Sequence, residues 1–127
     1  MRLWHQSLIS KLPRQQLLGQ HRECCALRGR GWGRNHSVVN YVFEHIPEYL
    51  VAYHYLVMAE MKNRGYNPDK KWQNVNYRGQ SIGEQEYWCS YDLVVTLTNS
   101  NSILYPEHND EYLQECINNL KGKGIEI

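Results

Sequence analysis

A chain of 127 residues with a formal net charge of +1 has the length of one domain, and it can bury a core without disulfide or metal staples. No apolar run approaches the ~18 residues of a membrane helix. The opening Met1-Arg2-Leu3-Trp4-His5-Gln6-Ser7 lacks the apolar stretch of a signal peptide, so the expected location is cytoplasmic.

Residues 1–12 start extended. Ser10 is a candidate N-cap and Pro13 suits a first helical turn, so a helix is predicted from Lys11 or Pro13 to Leu27. At about 100° per residue, Leu17, Leu18, His21, Cys24 and Cys25 share a side that faces a core. Glu23 projects opposite, flanked by Gln16, Gly19, Gln20 and Ala26; two of these have almost no side chain, which leaves a shallow hollow around a carboxylate. Gly19 costs the helix about 1 kcal/mol relative to alanine, so something is expected to come close there. Residues 29–35, Gly-Arg-Gly-Trp-Gly-Arg-Asn, read as a flexible basic arm that contacts phosphates. Trp32 in that arm either stacks on DNA or packs on the core. The lysine-serine signature of a nucleotide phosphate loop is absent.

Val38 to Ile46 make a short apolar, helical segment that ends before Pro47. Pro47 opens the next helix, Glu48 to Arg64, with Leu50, Val51, Tyr55, Leu56, Met58 and Met61 as its apolar set and Gly65 as its cap. His54 reads as a packing residue. Residues 66–92 are polar and without periodicity, and a long irregular segment in a compact domain is often functional. Leu93 to Thr98 form a buried segment, helical or extended. Asn109 or Asp110 caps a last helix from Glu111 to Leu120, with Tyr112, Leu113, Cys116, Ile117 and Leu120 inward and Gly122 at its end. The expectation is a mostly α, compact single domain over residues 1–127, with three main helices and long irregular connections.

Charge is segregated along the chain. Residues 1–40 hold seven basic residues against Glu23 alone, a net of +6, while residues 41–127 hold seven against twelve acids, a net of −5. A basic first third points to nucleic acid. Arg2, Arg22, Arg28, Arg30 and Arg34 are the candidate phosphate contacts, and Gln16, on the Glu23 face, is placed to orient a water or a sugar. The surrounding arginines are expected to keep Glu23 ionised, so that it can stabilise a cation formed during reaction; the alternative is a surface ion pair to Arg22, Arg30 or Arg34. Ten tyrosines and four tryptophans against one phenylalanine suit a wet, base-stacking surface, or simply fill a modest aliphatic core. Cys24, Cys25, Cys89 and Cys116 read as reduced thiols, since no Cys-x-x-Cys occurs. His21 with Cys24 is half of a metal site without a second pair, so neither metal nor cofactor is expected.

Leu8-Ile9-Ser10-Lys11-Leu12, Leu17 and Arg22-Glu23 together resemble the opening helix of the pyrimidine-dimer DNA glycosylases of the endonuclease V type. Arg34-Asn35-His36-Ser37-Val38 is similar to that family's basic turn, and Tyr55 to Asn67 to its second helix and exit. The resemblance covers residues 1–67. It implies excision of damaged pyrimidines from duplex DNA with linked cleavage at the abasic site, by an imine formed on the amino-terminal amine. It places that nucleophile on Met1 and the assisting carboxylate on Glu23. An α-amine suits the task, since its ordinary pKa lies about two and a half units below lysine's and more of it is neutral near pH 7. Ala26 stands where the family carries a second helix-borne arginine, and the family's aromatic, basic carboxy-terminal tail is absent here. A monomer acting on duplex DNA is expected, without a membrane. Two other readings remain at this point: a non-catalytic nucleic-acid-binding module on the same fold, and an interaction domain whose acidic, tyrosine-rich second half meets a protein.

Overall fold

Prolines set where the two longest helices begin. In the computed structural model, which describes residues 2–127, α1 spans Arg14–Arg28 and α2 spans Pro47–Asn63. Ser10 does not cap α1. It belongs to a separate 3-10 helix, Gln6–Lys11, and the chain is extended at Leu12, because the residue before a proline is pushed out of the helical region. Residues 2–12 are therefore not simply extended, and α1 starts at Arg14, directly after Pro13, the later of the two expected starts.

α2 is buried on all sides through its middle: Leu50, Val51, Ala52, Tyr53 and His54 follow one another in the interior, and Val57, Met58 and Met61 continue the buried face. Such a helix is the centre of a fold rather than one of its faces. α1 packs on it from one direction, and the 3-10 helices Gln6–Lys11 and Asn40–Glu44 also touch it. The segment left open between helix and strand becomes α3, Tyr91–Thr98, which packs on α2 as well. The Ser90 hydroxyl accepts the Leu93 N–H at 3.2 Å, a cap that overrides the β-branched Val94, Val95 and Thr96. α4, Asp110–Gly122, is capped by Asn109 and turns Cys116 and Leu120 into the core.

Two glycines close helices in the same way. At α2, Gly65 has φ +90°, and the Tyr66 N–H donates to the Met61 carbonyl at 2.9 Å. At α4 that role falls to Gly124, with φ +80°, while Gly122 remains inside the helix.

The long connection from α2 to α3 holds one 3-10 turn, Lys70–Gln73, and one isolated bridge, Tyr77 to Glu84; no longer strand forms among the described residues. Its backbone is satisfied in large part by Arg28. That guanidinium donates to the carbonyls of Trp72, Asn74 and Tyr77 at 3.0, 2.8 and 3.0 Å, contacts His54 Nδ1 at 3.0 Å and lies over the Trp72 ring. Arg28 is fully buried, so it is no phosphate contact. A buried carbonyl needs a partner, and one α1 side chain supplies three of them.

The glycine-rich stretch is a hydrogen-bonded turn rather than a flexible arm. The Gly31 N–H donates to the Ala26 carbonyl at 2.9 Å, and a Cβ at Gly31 would lie 2.8 Å from that same oxygen. Trp32 packs edge-on against Phe43 and Trp88 at 5.1 and 5.7 Å between centroids. It belongs to the core margin and does not project for stacking or wedging. No helix among the described residues is long and apolar enough to cross a membrane.

Candidate active site

Glu23 sits at the middle of α1, with Gly19 one turn before it and Ala26 one turn after. The hollow expected here is deeper than a helix surface alone could make: a cavity of about 320 Å³. α1 supplies one wall through Gln16, Gly19, Gln20 and Glu23. The amino-terminal segment adds Arg2 and Trp4, and Val38 comes from the stretch before α2. Asn119 on α4 and Lys123 just past its end close the far side. Nothing among the described residues requires glycine at position 19: a Cβ there would meet only Arg22 Nη2, at an ordinary 3.6 Å. The space above it is the cavity.

The electrostatics differ from the expectation. Glu23 makes no ion pair with any arginine among the described residues, which removes the surface-pair alternative. Burial raises its pKa above the ordinary carboxylate value, with His36 opposing. Glu23 Oε1 is buried and has no hydrogen-bond partner among the described residues. Arg2 Nη1, on the same cavity, is in the same condition; its nearest carboxylate, on Glu115, is 3.9 Å away. An acceptor and a charged donor, both buried and neither hydrogen-bonded among the described residues, border one cavity. Buried polar atoms without partners are uncommon, and a ligand is one of the standard reasons for them.

The other candidate residues are dispersed. Arg22 is exposed at the rim beside Gly19. Arg34 borders a neighbouring, mostly apolar hollow of about 260 Å³ that Glu23 shares with Ala26, Leu27 and Val39. Arg30 lies further along, beside Trp72 and Arg78. Met1 lies outside the described residues. Residue 2, one peptide bond away, lines the cavity.

A family model described as pyrimidine dimer DNA glycosylase matches residues 1–74, more than half of the chain. The chain belongs to the pyrimidine dimer DNA glycosylase family. Comparison with curated proteins and with solved structures finds no match. Membership assigns the protein DNA glycosylase activity, DNA as substrate and a place in DNA repair. Arg2, Trp4, Gln16, Gly19, Gln20, Glu23 and Val38 fall within the matched stretch, while Asn119 and Lys123 lie beyond it. The sequence reading missed those two. They are polar, sit off the inward stripe of α4, and carry no signal until the docking of α4 is known.

The glycosylase has a second cluster, on the side of α1 that faces α2. His21 Nδ1 lies 2.8 Å from His54 Nε2, and Cys25 Sγ lies 3.9 Å from each. Cys24, paired with His21 in the sequence reading, is instead buried in the core. The triangle has metal-like spacing, yet its donors are engaged. Arg28 can only donate, so His54 Nδ1 accepts and the proton of the neutral ring is on Nε2, directed at His21 Nδ1. Burial, then Arg28 and His21, hold His54 well below its ordinary pKa, and burial pushes the Cys25 thiol up to about 12. A cation here would have to break the Arg28–His54–His21 chain and ionise a reluctant thiol. The residues fit a hydrogen-bonded chain better than a metal centre.

Proposed function

We propose that the Glu23 cavity is the centre of a DNA glycosylase with a linked lyase step on damaged pyrimidines in duplex DNA. The α-amine of Met1 attacks the sugar C1′ and the glycosidic bond breaks. The base departs with the bonding electrons and takes up a proton. The amine loses its protons as the sugar ring opens to an imine, and removal of a C2′ proton then expels the 3′ phosphate. Glu23 stabilises the developing sugar cation and moves protons, and a carboxyl with a raised pKa suits the proton transfers near neutral pH. Arg2 and Lys123 supply positive charge for the flanking phosphates, with Arg22 at the rim. Gln16 orients the sugar or a water.

The observation that carries this reading is the buried Glu23 Oε1, without a hydrogen-bond partner among the described residues, on a cavity that residue 2 also lines. The test is borohydride trapping on an oligonucleotide with a single abasic site, using protein with a native amino terminus, followed by mass mapping of the adduct. An adduct on the α-amine supports the imine chemistry. DNA binding that survives Glu23→Gln, with no adduct, would leave a binding module on this fold.

A further inference from the structure

Residues 2–5 belong to no helix and pair with no strand, yet side chains from α1, α2 and α4 hold their backbone. Gln20, fully buried on α1, supplies two of the bonds: its Nε2 donates to the Arg2 carbonyl at 2.9 Å and its Oε1 accepts the Trp4 N–H at 2.6 Å. A neighbouring parallel strand would take a carbonyl and the amide two residues on in this same manner. The carboxamide therefore acts as one residue of a strand. It cannot be reversed, because the Arg2 carbonyl only accepts and the Trp4 N–H only donates. The buried Tyr53 hydroxyl braces it, lying 2.8 Å from Gln20 Oε1 and 2.6 Å from the Trp4 carbonyl. It shares its single proton between those two oxygens. From α4, the Tyr112 hydroxyl donates to the Leu3 carbonyl at 2.5 Å.

These bonds fix a register. A slip of one residue in an extended segment sends every side chain to the other face. Arg2 and Trp4 would then leave the cavity, and the end of the chain would move by the length of one residue. A methionine or leucine would fill the volume at position 20 but would set no register.

We propose that Gln20, braced by Tyr53, is a positioning residue for the excision reaction: it fixes residues 2–4 and thereby holds the α-amine against Glu23. This rests on the amine-nucleophile reading above. Gln20→Met keeps the bulk and removes both bonds, and Tyr53→Phe removes only the brace. Single-turnover cleavage and borohydride trapping on abasic duplex should fall roughly 10- to 100-fold in Gln20→Met, since a misplacement near 1 Å costs that much. DNA affinity should stay within about threefold, because the loss is of orientation and not of uniform binding. Tyr53→Phe should show the same pattern more weakly, and it decides the matter if Gln20→Met does not fold. Methylamine in solution should restore cleavage to Gln20→Met, where Glu23 is intact, but not to the double variant with Glu23→Gln. Wild-type rates in the folded variants, or a loss of rate that tracks affinity and resists rescue, would overturn the proposal. No adduct with the wild-type protein would instead overturn the amine reading, and this proposal with it.

Discussion

Glu23→Gln should leave the fold intact, slightly raise its stability at neutral pH, and abolish excision. Burial raises the Glu23 pKa, so at a pH just above the ordinary carboxylate value the native state still holds a proton that the unfolded chain has released. Stability therefore falls as pH rises through that window and stays lower above it. Glutamine carries no such penalty at any pH. Glu23 is only half-buried and water in the cavity screens it, so the gain near pH 7 is about 0–1 kcal/mol. The rate effect is larger: removing proton transfer in this step predicts roughly a 10²–10⁴-fold loss. Urea denaturation at about pH 5 and about pH 7.5 reads the first effect, with the variant's advantage growing at the higher pH. Single-turnover excision on a duplex with one lesion reads the second. A variant destabilised by more than about 1.5 kcal/mol would mean that the carboxylate has a structural partner after all. A variant that keeps most of its activity would remove Glu23 from the chemistry.

Arg28→Met should destabilise the protein by about 3–5 kcal/mol in urea melts, because three carbonyls lose the fully buried guanidinium that serves them all; a loss below about 1 kcal/mol would show that the α2–α3 connection holds itself. Gly19→Ala should do the reverse for stability, gaining about 1 kcal/mol from helix propensity, while lesion binding weakens because the added methyl enters the cavity. Affinity that stayed unchanged would show that nothing approaches Gly19 closely. Stability should also fall below about pH 6.5, as buried histidines are forced to charge. The Gln6 N–H donates to His108 Nδ1, and burial with His5 lowers the His108 pKa to about 3. The unfolded chain thus takes up this proton first as pH falls, and up to about 3–5 kcal/mol is lost between pH 6.5 and 3. His108→Gln should flatten that acid limb in pH-dependent urea melts, and an unchanged slope would assign it to other groups.

Helices were legible wherever a period and a punctuating residue agreed: Pro47 with Gly65 at α2, Asn109 at the start of α4, and the stripe of α1. α3 was not, because Leu93-Val94-Val95-Thr96 has the composition of a strand and the decision lay with a single Ser90 cap. The hollow at Glu23 was legible because a lone acid shares its face with small neighbours. The arginines were not, because charge alone does not say which guanidinium is free. Arg28 stands at the last turn of α1 and looks like the rest of the basic run, yet it serves as the inner scaffold of a loop some 44 to 49 residues away in sequence. Trp32 was read with both outcomes open, and Phe43 and Trp88 decide it in favour of packing.

The depth of the site is likewise a long-range property. On α1 alone, Gly19, Glu23 and Ala26 make a dent in a helix surface that water would fill, with a carboxylate near its ordinary pKa. α4 changes this by standing across from it: Asn119 and Lys123 close the far wall, and Tyr112 secures the carbonyl of Leu3 beside the residues that line the near one. The family match ends at residue 74, before any of these. A carboxyl raised by burial and an arginine Nη1 without a hydrogen-bond partner among the described residues both depend on that last helix excluding water. The first third of the chain therefore carries the candidate reacting groups, and the last sixth makes the environment in which Glu23 and Arg2 differ from ordinary surface charges.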